Sequence, residues 1–192
     1  MSLFDKLIGE ISPQSEEARR RARLKAQALA EPHDWLALIL EQHLKIDTAF
    51  AAVARAPGPA SRRAALKSLA VLITAHANAE ETVIYPALLR VGRRGPAMAG
   101  YREQAQAKVR IAGLEYLDPV APKFLREVHH IHHEVAHHIY AEENGRLLEL
   151  KLLTAREQEA LSQRFRQEFE RYMRKAIVLP TAPAANSPPA SP

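Results

Sequence analysis

The stretch Leu66-Lys67-Ser68-Leu69-Ala70-Val71-Leu72-Ile73-Thr74-Ala75-His76-Ala77-Asn78-Ala79-Glu80-Glu81-Thr82-Val83 decides the fold. Leu66, Leu69, Ile73, His76, Glu80 and Val83 recur at alternating spacings of three and four, which lays them along one side of an α-helix. The seam is apolar until it reaches a histidine, and a glutamate follows one turn later. Two further stretches repeat the pattern. One runs Leu36, Ile39, His43, Ile46, Phe50 and Val53; the other runs Phe124, Val128, Ile131, Val135, His138 and Glu142.

An ionised carboxylate buried without a partner costs several kcal/mol, and a buried imidazole needs its hydrogen bonds met. A bundle that places such groups on three seams needs something at its centre to compensate them. A cation does this directly, because neutral imidazoles and ionised carboxylates are its natural ligands and bundle cores are where such sites are built. The pairs His76/Glu80 and His138/Glu142 lie at i, i+4, on one face and one turn apart. A purely structural polar network is the competing reading.

Around these seams the 192-residue chain reads as helical. Glycine is scarce at 7 residues and period-two apolar runs are absent, so no sheet is expected. Helices are expected over about 34–55, 61–90, 95–117 and 118–150, with Ser61 capping the second and Asp118-Pro119 opening the fourth. Thr154 and Glu157 form a capping box for a last helix reaching about Lys175. Short connections between long helices predict an all-α, up-down-up-down antiparallel four-helix bundle with an N-terminal helical extension and a fifth C-terminal helix. The expected organisation is an extension over 1–31, the bundle over 32–178, and a disordered Pro/Ala/Ser tail over 179–192. Within the extension, Leu3, Phe4, Leu7, Ile8 and Ile11 make an amphipathic stripe suited to the bundle, a protein partner or self-association. Ser12-Pro13 is expected to cap the short basic helix that follows.

Composition excludes several chemistries. The sequence contains no cysteine, which removes disulfides, iron–sulfur ligation and thiol catalysis. No apolar run approaches the roughly 20 residues of a membrane span, and no signal peptide is recognisable, so the expectation is a cytoplasmic protein. The net charge of +5 is concentrated in Arg19, Arg20, Arg21, Arg23 and Lys25. That run reads as a solvated helix face, and with no reading motif beside it no nucleic-acid partner is expected.

The segments Trp35 to Phe50, His76-Ala77-Asn78-Ala79-Glu80-Glu81-Thr82-Val83-Ile84-Tyr85-Pro86 and His138-Ile139-Tyr140-Ala141-Glu142-Glu143 together resemble the hemerythrin-like HHE cation-binding family over about residues 32–175. The resemblance implies an antiparallel bundle around a non-haem iron centre, usually with two irons per chain. It gives ligand roles to His43, His76, Glu80, His138 and Glu142. The third helix departs from the family pattern: where Glu-His is usual, this chain has Glu103-Gln104. Gln104 is a neutral, weaker ligand than imidazole and leaves the site more open. Glu134, one turn before His138, is a secondary candidate whose ordinary role is an exposed or salt-bridged carboxylate. His129, His130, His132, His133 and His137 lie off the seam; His133/His137 is an i, i+4 pair that also suits zinc. The expected function is binding, sensing or reaction of O2, NO or peroxide, with iron storage or repair, or a helical interaction module with a structural metal, as alternatives. Tyr85 and Tyr140 are expected as core or supporting aromatics.

Overall fold

The computed structural model describes residues 15–178. The amphipathic stripe over 1–12, the Ser12-Pro13 pair and the 179–192 tail lie outside the described residues. All regular structure among the described residues is helical.

Helix α1 spans Glu16–Gln27, and its cap is Ser15, whose hydroxyl accepts from the Ala18 amide at 3.1 Å. Helix α2, Trp35–Arg55, is capped by Asp34, which accepts from the Ala37 amide at 2.7 Å. Helix α3, Pro59–Ala79, starts two residues before the expected cap. Pro59 takes the first helical position, where its missing N–H costs nothing. Ser61, inside the first turn, reaches back to accept from the Gly58 amide at 3.1 Å.

Beyond Ala79 the chain widens into a π turn, Glu80–Ile84, before resuming as helix α4, Tyr85–Arg90. The Tyr85 amide bonds to the Glu80 carbonyl, and Pro86, which lacks an N–H, follows at once. The extra residue in the turn brings Glu80, Val83, Ile84 and Tyr85 all into the interior.

Helix α5 covers Arg94–Gly113. The fourth bundle helix, α6, begins at Pro122 rather than Pro119. Asp118 instead folds its side chain onto the Val120 amide at 3.0 Å in a local turn, and the second proline takes the helix start. Nor does α6 run to Leu150: it ends at Ala141, passes through a second π turn at Glu142–Arg146 and a 3-10 segment at Leu148–Leu152. Helix α7, Ala155–Val178, opens on the expected box, with the Thr154 amide donating to Glu157 at 3.0 Å.

Helix α2 packs on α3, α3 on α5, α5 on α6 and α6 back on α2, closing a four-helix ring. α7 lies across α2 and α3, and α1 lies against α2 and the second π turn. The seam residues quoted above for α2, α3 and α6 are buried without exception. They divide into two apolar clusters, one with Trp35, Leu36, Ile39, Val83 and Phe165, the other with Ile46, Phe50, Leu69, Ile73 and Val128. Each large side chain buried there contributes roughly 1.5–3 kcal/mol. Between Ile39 and Ile46 on α2, and between Ile73 and Val83 on α3, the seam is polar. The histidine–glutamate layer therefore lies between the two apolar clusters. No described helix is long and apolar enough to cross a membrane.

Candidate metal centre

Four ring helices bring polar side chains to this layer. α2 supplies His43, α3 supplies His76, the first π turn supplies Glu80, α6 supplies His138, the second π turn supplies Glu142, and α5 supplies Gln104. His43, Glu80 and Glu142 are 0% exposed; His76, Gln104 and His138 are also buried. Both candidate glutamates are the first residue of a π turn, a regularity with no signature in the i, i+4 spacing.

Candidate ligand atoms of His43, His76, Glu80 and Glu142 all lie within 4.8 Å of one another. His43 Nε2 is 3.3 Å from Glu142 Oε2, and His76 Nε2 is 3.4 Å from Glu80 Oε2. His138 stands at the margin of this group, with its Nε2 3.4 Å from Glu142 Oε1. Five buried atoms here lack a hydrogen-bond partner: His43 Nε2, His76 Nε2, Glu80 Oε1, Gln104 Oε1 and Glu142 Oε2. Buried polar atoms are nearly always satisfied, and each orphan costs about 1–3 kcal/mol. A knot of such orphans, all nitrogen and oxygen donors to a cation, fits a metal ion and has no counterpart in a self-satisfied polar network.

The far side of each imidazole is fixed. His43 Nδ1 meets Glu143 Oε1 at 2.9 Å, His76 Nδ1 donates to Gln42 Oε1 at 2.9 Å, and His138 Nδ1 meets Glu103 Oε2 at 2.7 Å. In a neutral ring, a proton held on Nδ1 by such an acceptor leaves Nε2 with its lone pair turned inward. Arg146 anchors Glu103 at 2.6 Å. Gln104 donates its amide to Glu80, and the Tyr85 hydroxyl lies 2.9 Å from Glu142 Oε1 and 3.3 Å from Glu80 Oε2. Tyr85 has room only because residue 100 is glycine: a Cβ there would lie 2.5 Å from the tyrosine ring.

Protonation follows from two carboxylates and three imidazoles sharing a buried volume. Burial and the neighbouring Glu142 charge push the Glu80 carboxyl well above its usual range. Burial also raises Glu142, but the adjacent His138, His43 and His76 outweigh it and hold Glu142 at about 2. For His43, burial opposes the charged form, yet the Glu142 and Glu143 carboxylates beside it hold the imidazole at about 9. Burial and the His43 charge push His76 well below its usual value. Protons thus occupy, at His43 and Glu80, the place a cation would take.

The other sequence candidates separate from the centre. Glu134 is turned outward and paired with Arg110 at 2.5 Å. His132 pairs with Asp47 at 3.1 Å and stacks on Phe50, while His129, His130, His133 and His137 are exposed. His133 and His137 flank a cavity of about 180 Å³ whose buried end is lined by His76, Gln104 and His138 and whose walls include Ile46, Ile73 and Ile139. Gln42, Glu143 and Arg146 escaped the seam reading. Glu143 and Gln42 are each adjacent in sequence to a seam residue, and Glu143 also closes the His138–Glu143 motif.

The family model described as hemerythrin HHE cation binding domain matches residues 25–150. The chain belongs to this family of helical, metal-binding proteins, and its buried histidine–glutamate cluster is compatible with that role. No curated protein and no solved structure matches the chain significantly.

Proposed function

We propose that this chain is a non-haem iron protein, with two irons at full occupancy, that binds, senses or reacts with O2, NO or peroxide. The observation that carries the reading is the set of orphaned nitrogen and oxygen atoms beside a mostly apolar cavity. His43, His76, Glu80, His138 and Glu142 are the proposed ligands, and Gln104 is a weak ligand through its amide oxygen. The up-down-up-down arrangement of the four ring helices, within a bundle spanning 32–178, belongs to the same proposal.

Iron, when bound, supplies a redox-active cation with a coordination position for a small ligand. The protein's part is to hold and shield it. Gln42, Glu143 and Glu103 fix the three rings, Tyr85 holds Glu142 in place, and the apolar clusters on either side exclude water. Ile46, Ile73 and Ile139 let a small uncharged ligand approach past the imidazole edges of His76 and His138. A glutamine in place of a fourth imidazole leaves the α5 side of the centre more weakly bound and more open.

Elemental analysis with an optical spectrum, on protein purified in air and on protein reconstituted with ferrous ion, tests the reading. Two irons per chain, with a visible spectrum that changes on adding NO or peroxide, are expected. A colourless chain whose melting temperature is unmoved by ferrous ion overturns it. Stoichiometric zinc with no iron uptake overturns the redox role.

A further inference from the structure

The basic run on α1 is a solvated face at all positions but one. Arg19, Arg20, Arg21 and Lys25 are exposed, whereas Arg23 turns inward and is only 19% exposed. Its guanidinium forks onto the Glu143 carboxylate, with Nε 3.1 Å from both oxygens and Nη2 2.8 Å from Oε1. Glu143 is itself buried, and its Oε1 also meets His43 Nδ1 at 2.9 Å. Two residues on, Lys25 donates to the Asn144 carbonyl at 2.9 Å. Buried Ala22 and Ala26 let α1 lie close. The helix thus grips the second π turn at neighbouring residues, one of which is wired to a ring of the candidate centre.

The three rings are not held alike. His76 rests on neutral Gln42, and His138 rests on Glu103, whose arginine, Arg146, lies in the same π turn as Glu142. Only His43 depends on a charge from outside the family-matched segment, because that segment begins at residue 25 and Arg23 precedes it. Without Arg23, the buried Glu143 carboxylate keeps a single close partner, the His43 ring. A buried carboxylate that has lost its guanidinium partner is free to rotate toward water, and that rotation releases Nδ1.

We propose that Arg23 is a positioning residue for the metal centre: it acts through Glu143 to hold His43 in its ligating orientation, so that docking of α1 sets cation affinity. The proposal rests on the reading of His43 as a ligand.

The test uses the full chain and two probes, ferrous ion without oxygen and cobalt(II), whose visible absorption reports coordination. Arg23→Ala and Glu143→Gln are each expected to weaken binding of both ions about 10–100-fold and to alter the cobalt spectrum. Arg23→Lys, which keeps a charge but not the fork, falls between Arg23→Ala and the unaltered chain. The double variant binds no more weakly than Glu143→Gln alone, because Arg23 acts through Glu143. Arg21→Ala, on the exposed side of α1, leaves affinity and spectrum unchanged. Unaltered affinity and cobalt spectrum in Arg23→Ala overturn the proposal, as do losses that multiply in the double variant. If Arg23→Ala does not fold, Arg23→Lys and Glu143→Gln decide, and full affinity in both overturns it. An unaltered chain that takes up neither ion instead overturns the metal reading itself.

Discussion

The hydroxyl of Tyr85 lies 2.9 Å from Oε1 of Glu142, a residue on the opposite π turn. Tyr85 is fully buried and its phenol is pushed well above its usual range, by burial first and then by the Glu142 and Glu80 charges. The phenol therefore stays protonated and serves as a donor. A tyrosine five residues after a candidate ligand reaches the same centre because the π turn between them adds a residue to the helix. The two π turns thus do related work. One aims Glu80 and Tyr85 together, and the other buries Glu142 and Glu143 side by side.

Tyr85→Phe removes this donor while keeping the ring. Loss of a hydrogen bond to a charged, buried carboxylate is expected to cost about 1.5–3 kcal/mol in the metal-free protein. Ferrous affinity is expected to fall about tenfold, because Glu142 loses its restraint. Urea unfolding and metal titration check the two effects separately. An unchanged affinity would show that Glu142 is positioned without the phenol.

Gly100→Ala reaches the same tyrosine from outside. The added methyl would sit 2.5 Å from Cζ and 2.8 Å from Oη of Tyr85. The ring is enclosed and also packs edge-on against Tyr101 with centroids 5.0 Å apart, so it has little space to yield. A destabilisation of about 1–3 kcal/mol is expected, with a loss of metal affinity resembling that of Tyr85→Phe. Wild-type urea unfolding would show that α4 and α5 separate cheaply.

The seams were legible because burial follows helical period: His43, His76, Glu80, His138 and Glu142 all lie where spacing placed them, in the interior. Spacing is blind to two things. It assumes 3.6 residues per turn, and so misses the π turns that bury Glu143 beside Glu142 and end α6 early. It also reads one helix at a time, so contacts between residues far apart in sequence, such as Arg23 with Glu143, leave no periodic trace. The helix starts at Pro59 and Pro122 were displaced for a related reason. Asp118 accepts from a downstream amide as a cap does, whereas Ser61 reaches back to the Gly58 amide from inside the first turn, and in both places a proline suited to the first position sits nearby.

Glu80→Gln separates stability from metal binding. Glu80 is already held toward its neutral form, so a glutamine replaces it with little loss of shape or charge. The metal-free variant is expected to melt at or above the wild-type temperature. Ferrous ion at 100 times Kd should stabilise the wild type by about 2.7 kcal/mol, and the variant far less. His76→Ala and Glu142→Ala should also abolish stoichiometric binding, whereas His133→Ala, at an exposed position, should not. If His133→Ala alone empties the protein of metal, the centre lies elsewhere.

Asp47 gives a test against pH away from the centre. Burial raises its carboxyl, but the bond to His132 and the charges of His132, Arg23 and His43 outweigh this and lower it below the ordinary value of 3.8. A carboxyl depressed by folding stabilises above its unfolded value, and that contribution disappears as pH falls through the folded value. The melting-temperature gap between wild type and Asp47→Asn should therefore be open above pH 3.8 and close as pH falls below it. A gap that widens below pH 3.8 would contradict the pairing. The side chain is 41% exposed, so the effect is small.

Gln104→His tests the most unusual position. Gln104 is buried on α5, donates to Glu80, and leaves its own carbonyl oxygen without a partner. Its amide nitrogen is 3.5 Å from His138 Nε2, so a side chain at 104 stands within reach of both candidate pairs. An imidazole there offers a stronger nitrogen donor to iron than the neutral amide. The second ferrous ion is expected to bind at least tenfold more tightly in Gln104→His, and reaction with added peroxide is expected to slow as the open side of the centre fills. Competition titration of ferrous ion and stopped-flow absorbance measure these separately. Unchanged affinity and rate would mean that residue 104 supports Glu80 without bordering the bound ion.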